Sequence, residues 1–228
     1  DKIFLKNIIS DISHQLKTPL SSLIVLNELM LNDRNMDEKT RQEFLSRSLS
    51  QLERIEWLII NLLKMARLEA GAIEFQIETI PLIQPVRKAL SALDIKIKEK
   101  NQNIIINKPD TNILFNGDKD WTAEALINII KNCIEHTPAK GDIYIHLTES
   151  PLFSRIIIKD TGEGIEKKDL PHIFKRFYKG SSSVKAESIG IGLALAKTIV
   201  ESQKGTVSVK SQRGKGTEFT VTFLKGVI

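Results

Sequence analysis

The residue in this sequence best suited to accept a chemical group is His14, one of four histidines in the chain. It lies between Ile12 and Leu16 of an apolar stripe with helical spacing, so its imidazole is predicted to face solvent. Pro19 cannot donate a hydrogen bond to the Gln15 carbonyl, and it is predicted to bend the helix just past the histidine. An exposed imidazole can act as a nucleophile near neutral pH, although a lone surface histidine usually has no such role.

Two patterns in the second half of the chain suit a nucleotide and its metal ion. Asn128 and Asn132 are four residues apart in a helical stretch, so both carboxamides project from one face. Amide oxygens are ligands that Mg²⁺ accepts beside water and phosphates, but an ordinary polar helix face has the same spacing. Asp160 ends a predicted strand, and Gly162 and Gly164 follow it. A carboxylate there can accept the exocyclic amine of adenine, and a tight turn is the simpler alternative.

Two glycine pairs complete this set of patterns. Gly190 and Gly192 precede a helical stretch, whose free N–H groups and positive dipole end attract phosphates. The segment from Gly214 to Thr217 opens the last predicted strand and equally suits a hairpin turn. Each pattern is weak alone, and the Gly-x-Gly pair lacks the preceding strand of a dinucleotide-binding fingerprint. The interpretation of these patterns as a nucleotide site therefore depends on their order along the chain.

Two long helices are predicted to position His14. Residues 1–33 form the first, and the second begins at Asp37, a typical N-cap residue, and ends at Gly71. The apolar stripe of the first helix comprises Ile8, Ile12, Leu16, Leu20 and Leu23. The short polar break between the helices predicts an antiparallel hairpin. Two helices bury their stripes poorly, whereas two hairpins complete a four-helix bundle, so the sequence predicts a homodimer.

After Gly71 strands and helices are mixed, which predicts one α/β layered domain. The predicted strands occupy 73–79, 103–107, 113–115, 142–148, 155–159, 206–211 and 217–223. The predicted helices occupy 81–100, 118–136 and 190–203. The stretch 161–189 is rich in glycine, serine and charge and has no regular period, as is typical of a long loop that closes over a ligand.

Composition narrows the class of protein. The 228 residues are 41% hydrophobic and 27% charged, with a net charge of +5 that suits an anionic ligand. The basic residues are spread along the chain, which argues against a nucleic-acid partner. A single cysteine, Cys133, excludes an intrachain disulfide and favours a reducing compartment. The chain begins at Asp1 without Met and contains no apolar run of membrane-spanning length, so membrane segments are expected only outside this sequence.

The order of these patterns resembles the ATP-binding domain of the sensor histidine kinases, a superfamily shared with gyrase, Hsp90 and MutL. The run from Ser13 to Leu20, SHQLKTPL, resembles the phospho-acceptor box of the same kinases. The resemblance covers essentially the whole chain. It implies an all-α hairpin over 1–71, forming a four-helix bundle as a dimer, followed by an α/β sandwich over 72–228 that binds ATP.

The resemblance also implies roles for single residues. His14 would be phosphorylated through Nε2, Asn132 would coordinate Mg²⁺, and Asn128 would lie near the phosphates. Asp160 would bind the adenine amine, with Thr217 near its water. The segment 161–189 would be the lid over ATP. The remaining implied ligand-site residues shape the base pocket or support the phosphates, and they are Gly162, Gly164, Arg176, Lys179, Gly190 and Gly192.

Two positions depart from the family pattern. Gln15 stands where an acidic residue commonly takes up the Nδ1 proton of the histidine. Its amide oxygen can still accept a hydrogen bond from Nδ1–H, so the nucleophile would be oriented but not deprotonated, and autophosphorylation is predicted to be slow. Glu135 stands where a lysine often contacts phosphate, so that contact comes from Lys131, Lys179 or Arg176, or is absent. In the family the position of Thr18 orients the water that hydrolyses a partner's phospho-aspartate; a helix hydroxyl bonded to a carbonyl is the alternative.

The leading hypothesis is an ATP-dependent protein-histidine kinase that transfers its phosphoryl group to an aspartate on the receiver domain of a response regulator, and that also dephosphorylates this partner. The chain would be the cytoplasmic portion of a membrane-anchored bacterial sensor. One alternative is a nucleotide-gated clamp of the Hsp90 or MutL kind, which needs no acceptor histidine. Another is a docking module or a predominantly phosphatase protein, which Gln15 favours. The sensed signal, the cognate regulator and the choice between phosphorylation within or across subunits are not encoded in any pattern found.

Overall fold

The computed structural model describes residues 2–33, 35–180 and 189–225, with only the backbone for 2–9 and 11. Contacts divide the chain into two compact units, 1–64 and 65–228. The first unit is helical, and the second is a two-layer α/β sandwich, as the sequence predicts. The division falls inside the second helix, because Met65 and Leu68 are buried with the second unit.

Helices α1 (Lys2–Asn32) and α2 (Glu38–Glu69) form the predicted pair. Asp37 caps α2, since its carboxylate accepts hydrogen bonds from the Thr40 amide at 2.9 Å and the Thr40 hydroxyl at 2.7 Å. Both bonds lower the pKa of the Asp37 carboxyl, and the bond from the Thr40 hydroxyl has the larger effect. Helix α1 continues through Pro19.

Gly71 ends α2 as predicted. It has a φ of +63°, the left-handed conformation that glycine adopts without steric cost. Its amide donates to the Leu68 carbonyl at 3.1 Å, and the Ala72 amide donates to the Arg67 carbonyl at 2.9 Å. This pair of bonds is the Schellman arrangement, and it stops the helix at a defined residue.

The apolar stripes of the helical unit are only partly covered in a single chain. Leu23 and Leu58 are buried, but Leu20, predicted on the buried stripe, is 52% exposed. Among the side chains of this unit that the structure describes, the other exposed large apolar ones are Ile24, Val25, Leu29, Leu31, Leu45, Leu49, Leu52, Ile59, Ile60 and Leu63. Such a continuous apolar surface on two adjacent helices marks an interaction face.

Beyond the end of α2, the described residues of the second unit form two sheets and three helices. A two-stranded sheet pairs β1 (Glu78–Pro81) with β3 (Leu114–Gly117). The main sheet has the order β2-β4-β5-β7-β6 and is antiparallel except for the β2–β4 pair. Its strands are β2 (Asn103–Asn107), β4 (Asp142–Glu149), β5 (Phe153–Asp160), β6 (Gly205–Gln212) and β7 (Gly216–Leu224). The helices are α3 (Ile83–Glu99), α4 (Lys119–His136) and α5 (Gly192–Ser202).

The core of this unit lies between one face of the main sheet and the helices. Alternate residues of β4, β5 and β7 are buried, which is the pattern of strands with a single covered face. Helix α4 packs between α3 and α5 and carries the largest set of buried side chains. The wholly buried members of the core include Leu126, Ile129, Ile130, Ile143, Ile145, Ile156, Ile158, Leu195, Ile199, Phe219 and Val221.

One strand prediction is wrong. Residues 73–77 form no strand, and β1 begins only at Glu78. Phe75 instead packs edge-on against Trp121 at 5.9 Å between ring centroids, and the Gln76 amide donates to Asp118.

Part of the predicted lid, 181–188, lies outside the described residues. Among the helices that the structure describes, none has the length and apolarity needed to span a membrane.

Candidate functional site

His14 is exposed on α1, which confirms the prediction that its imidazole faces solvent. Gln15 is half-buried beside it, and Thr18 is exposed one helical turn later. The Thr18 hydroxyl donates to the His14 carbonyl at 3.4 Å, a long bond of the kind expected near a proline in a helix. The acceptor segment therefore presents an imidazole and a hydroxyl to solvent on neighbouring turns of one helix.

Helix α4, which carries Asn128 and Asn132, is fixed at its N-terminal end by Asp118. One carboxylate oxygen of Asp118 accepts from the amides of Asp120 at 2.8 Å and Trp121 at 3.0 Å. The Asp118 amide donates in turn to the Gln203 side chain at 2.7 Å, at the end of α5. The two helices that border the candidate phosphate site are thus joined by a buried hydrogen bond.

Asn128 lies directly against Gly192 at the start of α5. Its side-chain amide donates to the Glu124 carbonyl at 2.9 Å, which aims its Oδ1 at the glycine. A Cβ at position 192 would lie 2.8 Å from that oxygen, so no other residue fits without movement. The structure therefore brings together one residue from each of two patterns that were found separately in the sequence.

Asn132 lies one turn further along the same helix and is half-buried. In the part of the chain that the structure describes, its carboxamide has no hydrogen-bond partner, so its oxygen is available to a ligand. Nor do any three His, Cys, Asp or Glu side chains among the described residues form a metal-binding group. An amide oxygen combined with phosphate oxygens and water is a donor set that fits Mg²⁺.

Asp160 ends β5 and is only 2% exposed. Its Oδ1 accepts hydrogen bonds from the Gly162 amide at 2.8 Å and the Thr217 amide at 3.1 Å. Burial raises the pKa of this carboxyl, and the two backbone hydrogen bonds oppose that shift. With Oδ1 held by two amides, the carboxylate is oriented for a donor on its other oxygen.

Cys133 lies on α4 near the Asp160 carboxylate. Cys133 is fully buried, and burial first, then the charge of Asp160, raises the pKa of the thiol well above its usual value. The thiol therefore stays protonated beside the carboxylate. In the sequence this cysteine served to exclude a disulfide and to favour a reducing compartment, and no pattern there assigned it to the site.

His136 and Glu163 form a second pair that was not predicted from the sequence. The Nδ1 atom of His136 lies 2.7 Å from a Glu163 carboxylate oxygen, and the Glu163 amide donates to the His136 carbonyl at 3.3 Å. A Cβ on Gly162 would lie 2.4 Å from that same carbonyl, which explains the glycine. The signal available in the sequence was the position of His136, four residues after Asn132 on the same helix face.

The remaining predicted glycines occupy tight turns at the edges of the site. Gly164 and Gly190 have φ values of +70° and +78°, and a Cβ at either would meet backbone atoms within 2.6 Å. The Gly190 carbonyl accepts a hydrogen bond from the Phe177 amide at 2.8 Å, which joins the two ends of the segment that includes 181–188. Thr217 is buried, with its hydroxyl 3.1 Å from that of Ser211.

The predicted cationic contacts to phosphate have other partners in this structure. Arg176 forms an ion pair with Glu69, and burial lowers the pKa of its guanidinium. Lys131 lies 3.7 Å from Glu135, and burial lowers the pKa of its ammonium. Lys179 is exposed. A role for these side chains in phosphate binding stays a prediction.

Family models match both the helical segment that carries His14 and the segment that carries Asn128, Asn132 and Asp160. Residues 4–71 match the family model described as the His Kinase A (phospho-acceptor) domain. Residues 117–226 match the family model described as histidine kinase-, DNA gyrase B- and HSP90-like ATPase. The chain belongs to the sensor histidine kinases. The resemblance found in the sequence and its fold class are thereby confirmed.

Individual relatives support the same family. The sensor histidine kinase YclK of Bacillus subtilis is 32% identical over 219 residues, which are 95% of this chain and 46% of that protein. The sensor histidine kinase WalK of the same organism is 28% identical over 221 residues, 95% of this chain and 36% of that protein. This kinase chain therefore spans less than half the length of these two relatives.

Solved structures of histidine kinases share the fold. The histidine kinase AdeS of Acinetobacter baumannii aligns with a TM-score of 0.75 and 22% identity, covering 94% of this chain and 98% of that one. The histidine kinase ThkA, solved in complex with the response regulator protein TrrA, aligns with a TM-score of 0.78 and 18% identity. The alignment covers 97% of this chain and 62% of that one.

Proposed function

We propose that this chain is the catalytic core of an ATP-dependent protein-histidine kinase, which phosphorylates His14 and passes the phosphoryl group to an aspartate of a response regulator. The single observation that carries the proposal is the exposed imidazole of His14 within a matched phospho-acceptor domain, in the same chain as a matched ATPase domain. A clamp of the Hsp90 or MutL kind has no use for such an imidazole, so that alternative is not favoured.

The base of the nucleotide is assigned to Asp160. Its Oδ1 is held by the amides of Gly162 and Thr217, so the other oxygen accepts the exocyclic amine of adenine. The match to an ATPase family supports ATP as the nucleotide. Because Asp160 is only 2% exposed, the hydrogen bond to the amine would form in a region with little water, which strengthens it.

The triphosphate is assigned to the junction of α4 and α5. The N-terminal amides of α5 suit phosphate oxygens, and Asn128 lies against Gly192 at that end. Asn132 would hold Mg²⁺, whose chemistry when bound is to neutralise charge on the phosphates. The residues of the chain supply positioning, which is the main requirement of phosphoryl transfer.

The attacking atom is Nε2 of His14. When His14 reacts, Gln15 would accept a hydrogen bond from Nδ1–H through its amide oxygen, which would fix the tautomer whose Nε2 carries the free lone pair. The amide oxygen cannot take the Nδ1 proton as the phosphoryl group arrives, so the positive charge that develops on the ring is not neutralised. Autophosphorylation is therefore slow, and this residue also supports a second candidate function, a protein in which phosphatase activity predominates.

A homodimer and a response regulator are the proposed partners. The exposed apolar surface of α1 and α2 is the face that a second hairpin would cover to complete a four-helix bundle. The structurally similar kinase ThkA was solved in complex with a response regulator protein, which supports a receiver domain as the partner here. We further propose that the chain is the cytoplasmic part of a membrane-anchored sensor, because it spans only part of its sensor-kinase relatives.

The test is direct labelling of the purified chain with γ-labelled ATP and Mg²⁺. The expected product is an acid-labile, base-stable phosphoryl group that is absent from His14→Ala. His146→Ala is the matched control, because it removes a histidine from the second unit and should leave labelling unchanged. Label that survives in His14→Ala, or that is acid-stable, would contradict the proposal.

A further inference from the structure

The ammonium of Lys100 is directed at the end of helix α4. Its Nζ donates to the carbonyls of Ile134 at 2.7 Å, Glu135 at 2.9 Å and Thr137 at 3.1 Å. Within the residues that the structure describes, no carboxylate lies at ion-pair distance from this ammonium. All three donors of the side chain are therefore used on backbone carbonyls of one helix terminus.

The side chain of Gln102 reinforces the same contact. It is only 7% exposed, and its amide nitrogen lies 3.1 Å from the Ile134 carbonyl, 2.8 Å from that of Thr137 and 3.2 Å from that of Pro138. Its own Oε1 is buried without a partner among the described residues. Since all the neighbouring atoms are acceptors, the amide nitrogen must face them.

A defined turn aims both side chains at α4. Asn101, between them, has a φ of +49°, the left-handed conformation that ends α3. The Gln102 amide donates to the Ile97 carbonyl at 3.1 Å, and the Lys140 amide donates to the Lys100 carbonyl at 3.0 Å. The turn is held on both sides, so Lys100 and Gln102 form a fixed clamp on the last turn of α4.

The opposite side of this last turn contacts the nucleotide site. The His136 carbonyl accepts from the Glu163 amide, and Gly162 lies against the same oxygen. The carbonyls at a helix C-terminus lack intrahelical partners and carry partial negative charge, which a nearby cation stabilises. The terminus of α4 is thus held between the Lys100–Gln102 clamp and the turn that follows Asp160.

We propose that Lys100 and Gln102 are positioning residues for nucleotide binding: by fixing the end of α4 they fix, through the His136 carbonyl, the turn that orients Asp160. The inference rests on the proposed role of Asp160 in binding adenine. Neither side chain touches a reacting atom. Their loss therefore weakens ATP binding while the transfer rate at saturating ATP is maintained.

The experiment compares Lys100→Met with wild type and with Lys98→Met. Lys98 is the matched control because it lies two residues away and pairs with Asp94 at an exposed site. The dissociation constant of a non-hydrolysable ATP analogue with Mg²⁺ is expected to rise about tenfold in Lys100→Met and to stay unchanged in Lys98→Met. The KM for ATP in His14 labelling should rise in parallel while kcat stays within about twofold, and Lys100→Arg should restore most of the affinity.

Amide hydrogen exchange separates positioning from a loss of overall stability. The Glu163 amide should exchange faster in Lys100→Met, whereas the Thr122 amide, bonded to Asp118 at the other end of α4, should not change. Equal exchange at Glu163 in variant and wild type, or faster exchange at both amides, would overturn the proposal. If wild type binds ATP and Lys100→Met binds it equally well, only this inference fails; if wild type binds no ATP, the proposed function fails and this inference with it.

Discussion

The Asp160 carboxylate and the Thr217 amide are joined by a 3.1 Å hydrogen bond between the end of β5 and the start of β7. The two strands are neighbours in the main sheet, so the position of the carboxylate follows from their register. The Gly162 amide donates to the same oxygen at 2.8 Å. Two backbone amides therefore hold one oxygen of the group proposed to recognise adenine, and the second oxygen is the one assigned to the ligand.

Replacing Asp160 by Asn should raise stability and weaken ATP binding together. Burial raises the pKa of the carboxyl above 3.8, so the folded protein binds more protons than the unfolded chain just above that pH. The free energy of unfolding of wild type therefore falls as the pH rises through this window and stays lower above it. Asn keeps the acceptor for both amides without a buried charge, but it lacks the second acceptor for the adenine amine.

Thermal unfolding of Asp160→Asn and wild type at about pH 7.5 and about pH 4 checks this prediction. The variant should be more stable at the higher pH, and its advantage should shrink at the lower one. ATP affinity at neutral pH should fall by about tenfold or more. Asp110→Asn, at an exposed site, is the control for loss of a charge. An advantage that grows toward acid pH would refute the assigned cause.

Replacing Gln15 by Glu should accelerate autophosphorylation. A carboxylate can take up the Nδ1 proton of His14, and a positioned general base contributes roughly 10²–10⁴-fold to such a step. The initial rate of His14 labelling at saturating ATP is the measurement. Gln42→Glu adds the same charge to an exposed position on α2 and should leave the rate unchanged. An unchanged or lower rate in Gln15→Glu would contradict the role assigned to Gln15.

Replacing Gly192 by Ala should reduce ATP affinity through a steric effect on Asn128. The added Cβ would lie 2.8 Å from Asn128 Oδ1, and overpacking of this kind costs about 1–3 kcal/mol. Titration with the ATP analogue should show weaker binding. The double variant with Asn128→Ala should recover the stability lost by Gly192→Ala, because the clashing oxygen is gone. Additive losses in the double variant would show that the two positions are independent.

Replacing Leu49 by Asp should dissociate the proposed dimer. Leu45, Leu49 and Leu52 are each more than half exposed and share one face of α2. A charge on a covered apolar face is strongly unfavourable, so sedimentation should report a monomer. Ser50→Asp adds the same charge at the next position, where the hydroxyl donates to the Ser46 carbonyl of its own helix. A dimer that survives Leu49→Asp, or one that Ser50→Asp also disrupts, would argue against this face.

Replacing Thr18 by Ala should reduce phosphatase activity and spare autophosphorylation. The Thr18 hydroxyl is exposed one turn after His14, and its bond to the His14 carbonyl is long at 3.4 Å, so it can turn toward a water. Dephosphorylation of a phosphorylated receiver domain and His14 labelling are measured on the same preparation. Loss of labelling with phosphatase activity retained would reverse the assignment of Thr18.

Much of the fold was predictable because each element has a clear local signal. Asp37 and Gly71 mark the ends of α2, and Asp118 caps α4, where the sequence places a helix start. The error at 73–77 arose because alternating apolar residues favour a strand only when a partner strand is present. Here Phe75 packs on a ring instead, and the backbone of Gln76 bonds to a side chain.

The site was predictable where glycines and carboxylates stand close in sequence, and not where distant segments meet. His136 and Glu163 are 27 residues apart, and Lys100 reaches carbonyls about 35 residues away. No periodicity or spacing rule relates such positions, because the fold alone sets their distance. The exposure of Leu20 has a related cause, since a helical stripe indicates which face is covered without indicating which molecule covers it.

Cys133 has a practical consequence for spectroscopy. It is the only cysteine in the sequence, it is fully buried, and its thiol stays protonated beside Asp160. A protonated, enclosed thiol reacts poorly with maleimides and methanethiosulfonates. This chain is therefore a silent background for site-directed labelling, and a spin label or fluorophore on one introduced cysteine can report on the two units without prior removal of Cys133.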